Sequence, residues 1–148
     1  MMDRLEITQL ARNPYSLGMI SRYLSDHRPF ADFDFGATIH ALMFQIHQGT
    51  HLIATRNDAV VGYLGWLRVD PEIALAWQAG TARLAAHPDG AAVAVTIFVA
   101  DDPRDILPMI RAAKRAEPGR SVYWKRYFSD SRTPHARAVL TDTERPQP

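Results

Sequence analysis

The chain contains no cysteine among its 148 residues. That excludes disulfides, a thiolate nucleophile and Cys-type zinc sites, and it fits a reducing compartment. Net charge is almost absent: 17 Lys and Arg against 16 Asp and Glu leave +1. No global basicity points to nucleic acid. No segment approaches the roughly 18 consecutive apolar residues of a membrane-spanning helix. The first twenty residues, MMDRLEITQLARNPYSLGMI, carry no signal-peptide apolar run. There is no internal repeat and no low-complexity block. These absences lead to the expectation of a cytoplasmic protein without a membrane span.

What is present is enough for one domain with its own core. Apolar residues make up 47% and charged residues 22% of the chain, a composition that folds. We expect a single domain over 1–148, with 1–13 and the polar tail 141–148 peripheral or frayed.

The stretch His51 to Leu67 reads as two strands around a tight turn. His51–Arg56 is apolar and β-rich, Asn57-Asp58 is a turn pair, and Val60–Leu67 is β-branched and aromatic. Two helices precede it. Pro14 opens the first, whose face is Leu17, Ile20 and Leu24. The second spans Ala37–Gln48, with Ile39, Leu42, Met43 and Ile46 as its stripe and Gly49 as its stop. Between them SDHRPFADFDFG is a loop pinned by three Phe residues. After the hairpin, Asp70-Pro71 is a cap followed by Pro at the first helical position. Ile73, Trp77, Gly80, Thr81 and Leu84 then give a third helix one face. Ala91–Ala100 is a continuous apolar run, expected as a strand covered on both faces. Pro103–Ala116 is the fourth helix, with Ile106, Leu107, Ile110 and Ala113 inward. Ser121–Phe128 is a strand and Ala136–Leu140 a last short one. The fold class is therefore α+β, a mixed, mostly antiparallel central sheet flanked by helices.

His40 and His47 share a helical face with His51 nearby, but their spacing of seven is not that of a helical metal pair. No metal site is expected. Trp66, Trp77 and Trp124 read as core.

The hairpin, with Arg56-Asn57-Asp58 at its turn and Val61-Gly62-Tyr63-Leu64-Gly65-Trp66 closing it, sits before a helix and a strand. In this it resembles the GNAT acetyltransferase fold. That superfamily binds the coenzyme A pyrophosphate on a Gly-rich loop. The corresponding Ala100-Asp101-Asp102-Pro103-Arg104 has no Gly and two carboxylates, which disfavours a pyrophosphate cradle.

A narrower resemblance is to the toxin-activating lysine acyltransferases of the RTX haemolysin-activating type. It rests on Leu17-Gly18 opening an apolar helix, the His27-Arg28 pair, Thr55-Arg56-Asn57-Asp58, Trp66, Ile110-Arg111 and the Arg132–Arg137 loop. It covers about residues 15 to 140. The resemblance implies transfer of a fatty acyl group from acyl carrier protein to a lysine of a toxin substrate, with no bound cofactor and acyl-carrier protein as co-substrate. It also implies pairing as a homodimer.

His27 then becomes the general base, since an imidazole suits removal of an ammonium proton near neutral pH. Asp26, Asp32 and Asp34 lie close to it in sequence. The family's acid falls at Thr96, where this chain has no carboxylate; Asp101, just past the strand, is the fallback acid. Arg120, Lys125, Arg126, Arg132 and Arg137 make a basic region suited to an acidic carrier protein. Two other readings follow from the same fold: an acetyl-CoA-dependent N-acetyltransferase, and a non-catalytic binding module.

Overall fold

The computed structural model describes residues 4–126 and 135–142. One six-stranded sheet holds them, with strands in sequence order. These are β1 (Leu5–Thr8), β2 (His51–Arg56), β3 (Ala59–Val69), β4 (Ala92–Ala100), β5 (Ser121–Arg126) and β6 (His135–Asp142). Every neighbouring pair is antiparallel except β4 and β5, which run parallel. This is the mixed, mostly antiparallel sheet that the alternation of elements anticipates. The strand β1 comes from a segment whose pattern suits strand or helix equally; pairing with β2 decides it.

Four α-helices cover the sheet: α1 (Pro14–Ser25), α2 (Phe35–Gln48), α3 (Pro71–Gln78) and α4 (Ile106–Ala116). Local chemistry sets their ends. Asn13 Oδ1 accepts from Ser16 N at 2.8 Å ahead of Pro14. Asp34 Oδ1 accepts from Ala37 N at 3.0 Å, and Gly49 closes α2 at φ 72°. Those side chains and that left-handed glycine satisfy groups the helices leave orphaned. At the hairpin turn both Asn57 (φ 52°) and Asp58 (φ 62°) are left-handed. This is the primed turn whose twist matches the flanking strands.

Helices α1 and α2 pack on one face through Ile20, Leu24, Leu42, Ile46, Ile53, Tyr63 and Ile97. Helix α3 packs on the same face further along, over Val69, Ala92, Ala94 and Tyr123. Helix α4 covers the opposite face with Met109 against Leu52, Leu64, Trp66, Val93 and Val95. Alternation along β3 and β4 produces this division.

Several helical faces differ from the periodic reading. Met43 is 49% exposed, and the buried position goes to Gln45 because its amide finds two partners in the interior. Ile106 and Leu107 are exposed while Met109 is buried. A 3-10 turn over Pro103–Asp105 delays the start of α4 and rotates its face. Helix α3 stops at Gln78, and Gly80 takes φ 77°, so Gly80, Thr81 and Leu84 lie past its end. Of the three Phe residues in the loop, Phe30 alone is buried; Phe33 and Phe35 face solvent.

The buried His51 ties the N-terminal segment to this frame. Its Nε2 accepts from Leu10 N at 2.8 Å and its Nδ1 donates to Gln45 O at 3.2 Å. Burial lowers its pKa below the ordinary histidine value. The unfolded chain thus binds a proton more readily than the folded one. Stability from this group is fully present above the unfolded pKa of about 6.5 and is lost as pH falls below it. Urea midpoints measured from pH 7.5 to pH 5 should therefore fall. In His51→Gln that fall should be smaller. His51→Ala should cost about 3 kcal/mol at pH 7.5, through the lost ring and two lost hydrogen bonds.

Candidate functional site

The central strand β4 carries the feature that opens the sheet. Its ladder to β3 runs Ile97 opposite Gly65 and then Val95 opposite Trp66, so Thr96 is one residue extra. A bulge of this kind breaks side-chain alternation. Thr96 and Ile97 accordingly both face α2. The Thr96 hydroxyl accepts from Gln45 Nε2 at 2.8 Å and donates to Gly65 O at 3.4 Å. Gln45 Oε1 in turn accepts from Tyr63 OH at 2.8 Å. Gly65 leaves room for this amide: a Cβ there would lie 2.0 Å from Gln45 Oε1, so the amide would have to move.

The parallel pairing of β4 with β5 ends at Val95–Trp124, immediately before the bulge, whereas β4 continues to Ala100. Among the described residues, the β5-facing backbone of Thr96–Ala100 has no strand partner. On the α2 side an open cleft of about 510 Å³ lies against Thr96 and Ile97, with Asp32, Asp34, Ala37 and Ala41 in its walls.

The end of β4 is held by the hairpin. Val61 is an extra residue between the Ala54–Gly62 and Thr55–Val60 pairs, and its carbonyl accepts from Asp101 N at 2.9 Å. Asp101 thereby meets the C-terminal end of α1. Its Oδ1 stands 2.7 Å from His27 Nε2 and accepts from Tyr23 OH at 2.8 Å. His27 Nδ1 donates to the Tyr23 carbonyl at 2.6 Å, and the two rings lie 4.2 Å apart. Both partners are reachable from solvent, His27 being 26% and Asp101 43% exposed. Burial first, and the Asp101 carboxylate second, raise the Tyr23 phenol pKa far above its usual range, so it stays a donor.

Of the sequence-derived candidates, His27 and Asp101 are brought together. Thr96 is not with them: it stands five positions before Asp101 along the strand, roughly 17 Å, and its hydroxyl is engaged in the interior. Asp26, Asp32 and Asp34 make no bond to His27. The Arg28–Asp32 pair, at 3.5 Å, is exposed, and Asp34 caps α2. Tyr23 is the member that periodicity missed. It stands four residues before His27 on α1, a spacing that places it on the same face.

The loop after β4 is occupied by its own charges. Asp102 accepts from Arg104 N at 2.9 Å and from the Arg104 guanidinium, which together hold its carboxyl down at about 2. Asp105, buried, takes a two-bond contact from Arg56 at 2.9 and 3.0 Å. Within this loop the basic side chain, Arg104, is already on Asp102.

In the basic region, Arg120 turns inward to Glu117 and to the Gly90 carbonyl. Lys125 and Arg126 close β5 and Arg137 lies in β6 opposite Trp124. Their side chains, like all of Arg132, lie outside the described residues. His40 and His47 are exposed on α2, away from the buried His51.

No protein-family model and no curated protein matches the sequence. Solved structures do match in fold. An acetyltransferase of the GNAT family from Streptococcus agalactiae shares 9% identity at TM-score 0.60, over 85% of this chain and 78% of that one. The loading GNAT-like domain of CurA from Lyngbya majuscula shares 13% at 0.61, over 88% and 71%. A GNAT family acetyltransferase from Brucella melitensis, in complex with acetyl-CoA, shares 13% at 0.56, over 95% and 92%. The chain has a GNAT-like fold.

The polar chain through Gln45 gives a direct test of the bulge. Thr96→Val strands a buried amide donor and should cost about 1–3 kcal/mol in urea denaturation. Thr96→Ser should cost less than half of that. Gly65→Ala should be at least as costly as Thr96→Val, because the new methyl displaces Gln45 itself.

Proposed function

We propose that this protein is an acyltransferase that moves a fatty acyl group from acyl carrier protein to a lysine of a protein substrate, in the manner of toxin activation. The observation that carries the reading is the imidazole–carboxylate pair His27–Asp101, held by separate elements at the end of a strand whose β5-facing edge, among the described residues, has no strand partner along Thr96–Ala100. Such backbone is suited to hold an extended thioester arm. Its amides also suit the oxyanion that forms when the thioester is attacked. The GNAT-like fold shared with solved acetyltransferases supports acyl transfer as the class of reaction.

The chemistry proceeds with few parts. His27 takes one proton from the lysine ammonium. The freed amine attacks the thioester carbonyl carbon, a C–N bond forms, and the C–S bond breaks. The second N–H proton passes to the departing sulfur, and the proton on His27 returns to solvent. The products are an amide, a thiol and one released proton.

Acyl carrier protein is favoured over coenzyme A as the donor by the loop after β4. Asp101, Asp102 and Asp105 lie on the segment that corresponds to the pyrophosphate loop of the resembled superfamily, and Asp102 already takes the backbone N–H of Arg104. A carrier protein needs no such cradle, because only its pantetheine arm enters. Lys125, Arg126, Arg132 and Arg137 remain the proposed docking residues for that acidic partner, and a homodimer remains the proposed assembly.

Incubation with a fatty acyl–acyl carrier protein and a glycine- and aspartate-rich repeat toxin should add the acyl mass to toxin lysines in mass spectrometry. His27→Ala should slow this by about 10²–10⁴-fold. No added mass at equimolar enzyme would reject the reading. Saturable acetyl-CoA binding in calorimetry would turn it toward an N-acetyltransferase. Transfer undiminished in His27→Ala would remove the imidazole from the mechanism.

A further inference from the structure

The contacts of His27 assign the two ring nitrogens different tasks. Nδ1 faces a carbonyl oxygen, Tyr23 O at 2.6 Å. A carbonyl only accepts, so Nδ1 must carry a proton in this arrangement. Asp101 Oδ1, 2.7 Å from Nε2, also only accepts, so Nε2 carries a proton as well while that contact is made. Once the ring is neutral and the contact released, the carbonyl keeps the proton on Nδ1 and the lone pair is on Nε2. The carbonyl belongs to the last turn of α1, where carbonyls lack helical partners; Asp26 N, at 3.3 Å, is the other donor to it. The task that a buried carboxylate performs in a Ser-His-Asp triad, fixing the tautomer, is thus performed by main chain.

Asp101 is then left without an orienting role. It faces the base nitrogen itself, at 2.7 Å, and it is exposed enough to be reached. A carboxylate beside the nitrogen that removes the proton occupies the position suited to a cationic acceptor. Its oxygen binds the ammonium and presents the N–H to Nε2. The Tyr23 hydroxyl, kept as a donor, holds that carboxylate in place when the ring is not bonded to it.

We infer that Asp101 is the anchor for the acceptor's ammonium group, and that Tyr23 is a positioning residue that sets the His27 tautomer through its carbonyl and fixes Asp101 through its hydroxyl. The acceptor selected is a primary amine in its protonated form, with a flexible aliphatic stem, as on lysine. The inference rests on the acyl-transfer reading for its purpose, but its geometry is testable without any turnover.

Two measurements decide it. In 15N spectra of the ring nitrogens, Asp101→Asn should keep the neutral His27 ring protonated on Nδ1. A majority of the Nε2–H form in that variant would overturn the assignment to Tyr23. Titration with Nα-acetyl-lysine methylamide should shift the His27 ring signals saturably in the wild type. The affinity should fall at least tenfold in Asp101→Asn and about threefold in Tyr23→Phe. Equal binding by wild type and Asp101→Asn, or no binding by the wild type, would overturn the anchor. Where acyl transfer is measured, Asp101→Asn should raise the acceptor KM about tenfold, with kcat within about threefold of wild type. A loss confined to kcat would return Asp101 to an orienting role. Absence of transfer in the wild type, with both spectroscopic results as expected, would reject the acyl-transfer reading and leave the amine site standing.

Discussion

The bonds from Gln45 to Thr96 and Tyr63 are what the rest of the site depends on. A bulge in the central strand sends a hydroxyl into the α2 face, where an unpartnered polar atom is costly. Gln45 meets it from the helix, and the second end of the same amide meets the buried Tyr63 hydroxyl. Gly65, having no side chain, makes room for that amide. The four residues are mutually dependent, since removing any one leaves another buried polar group without its bond. The bulge is also where β5 stops pairing with β4. The opening in the sheet therefore begins at a position that a hydrogen-bonded network in the core holds in place.

The opposite face is fixed by charges at both ends of α4. Asp105 ahead of the helix binds Arg56 at the hairpin turn, and Glu117 behind it accepts from Trp66 Nε1, Arg68 and Arg120. Both carboxylates are buried, at 3% and 1% exposure. Ion pairs this far from water are weak evidence of net stabilisation, but losing one partner from them is expensive. Their use is register: they set where α4 lies along β2 and β3. Met109 then reaches Gly62, where an added Cβ would come within 3.0 Å of its sulfur. Position of the helix and absence of a side chain at Gly62 are one constraint.

The hairpin, the stop at Gly49, the Asp70-Pro71 helix start and the apolar run of β4 follow from signals that act over a few residues. Turn chemistry, capping and apolar runs are local, so they are legible in the sequence. His27 is legible only through a resemblance, and Asp101 only as a carboxylate near the end of a strand. What joins them is the Val61 bulge, which comes from the pairing of β2 with β3 and leaves no mark in the pattern of residues. Gln45 illustrates the same limit. In a helix that otherwise buries Leu42 and Ile46, a glutamine reads as surface, and it is buried because its two partners come from strands 18 and 51 residues away. The Glu117-Pro118-Gly119 sequence reads as a turn and is one; that its glutamate is the most buried acid among the described residues depends on Arg68 and Trp66.

The loop after β4 shows how such long-range arrangement bears on the donor proposed above. A helix start binds phosphate when its N–H groups are open and its surroundings lack negative charge. The segment ahead of α4 meets neither condition. Asp102 covers the N–H of Arg104, the Arg104 guanidinium lies on Asp102, and Asp105 holds Arg56. A nucleotide would have to break these bonds and then sit among three carboxylates. A thioester arm carried by a protein has its phosphate outside the cleft. Inside it needs backbone partners, which the segment Thr96–Ala100 offers on its β5 side. The carboxylates that oppose a pyrophosphate favour the opposite charge at the same place. In the proposed reading, Asp101, nearest His27, is thereby suited to a cationic acceptor by the same negative charge that opposes a pyrophosphate.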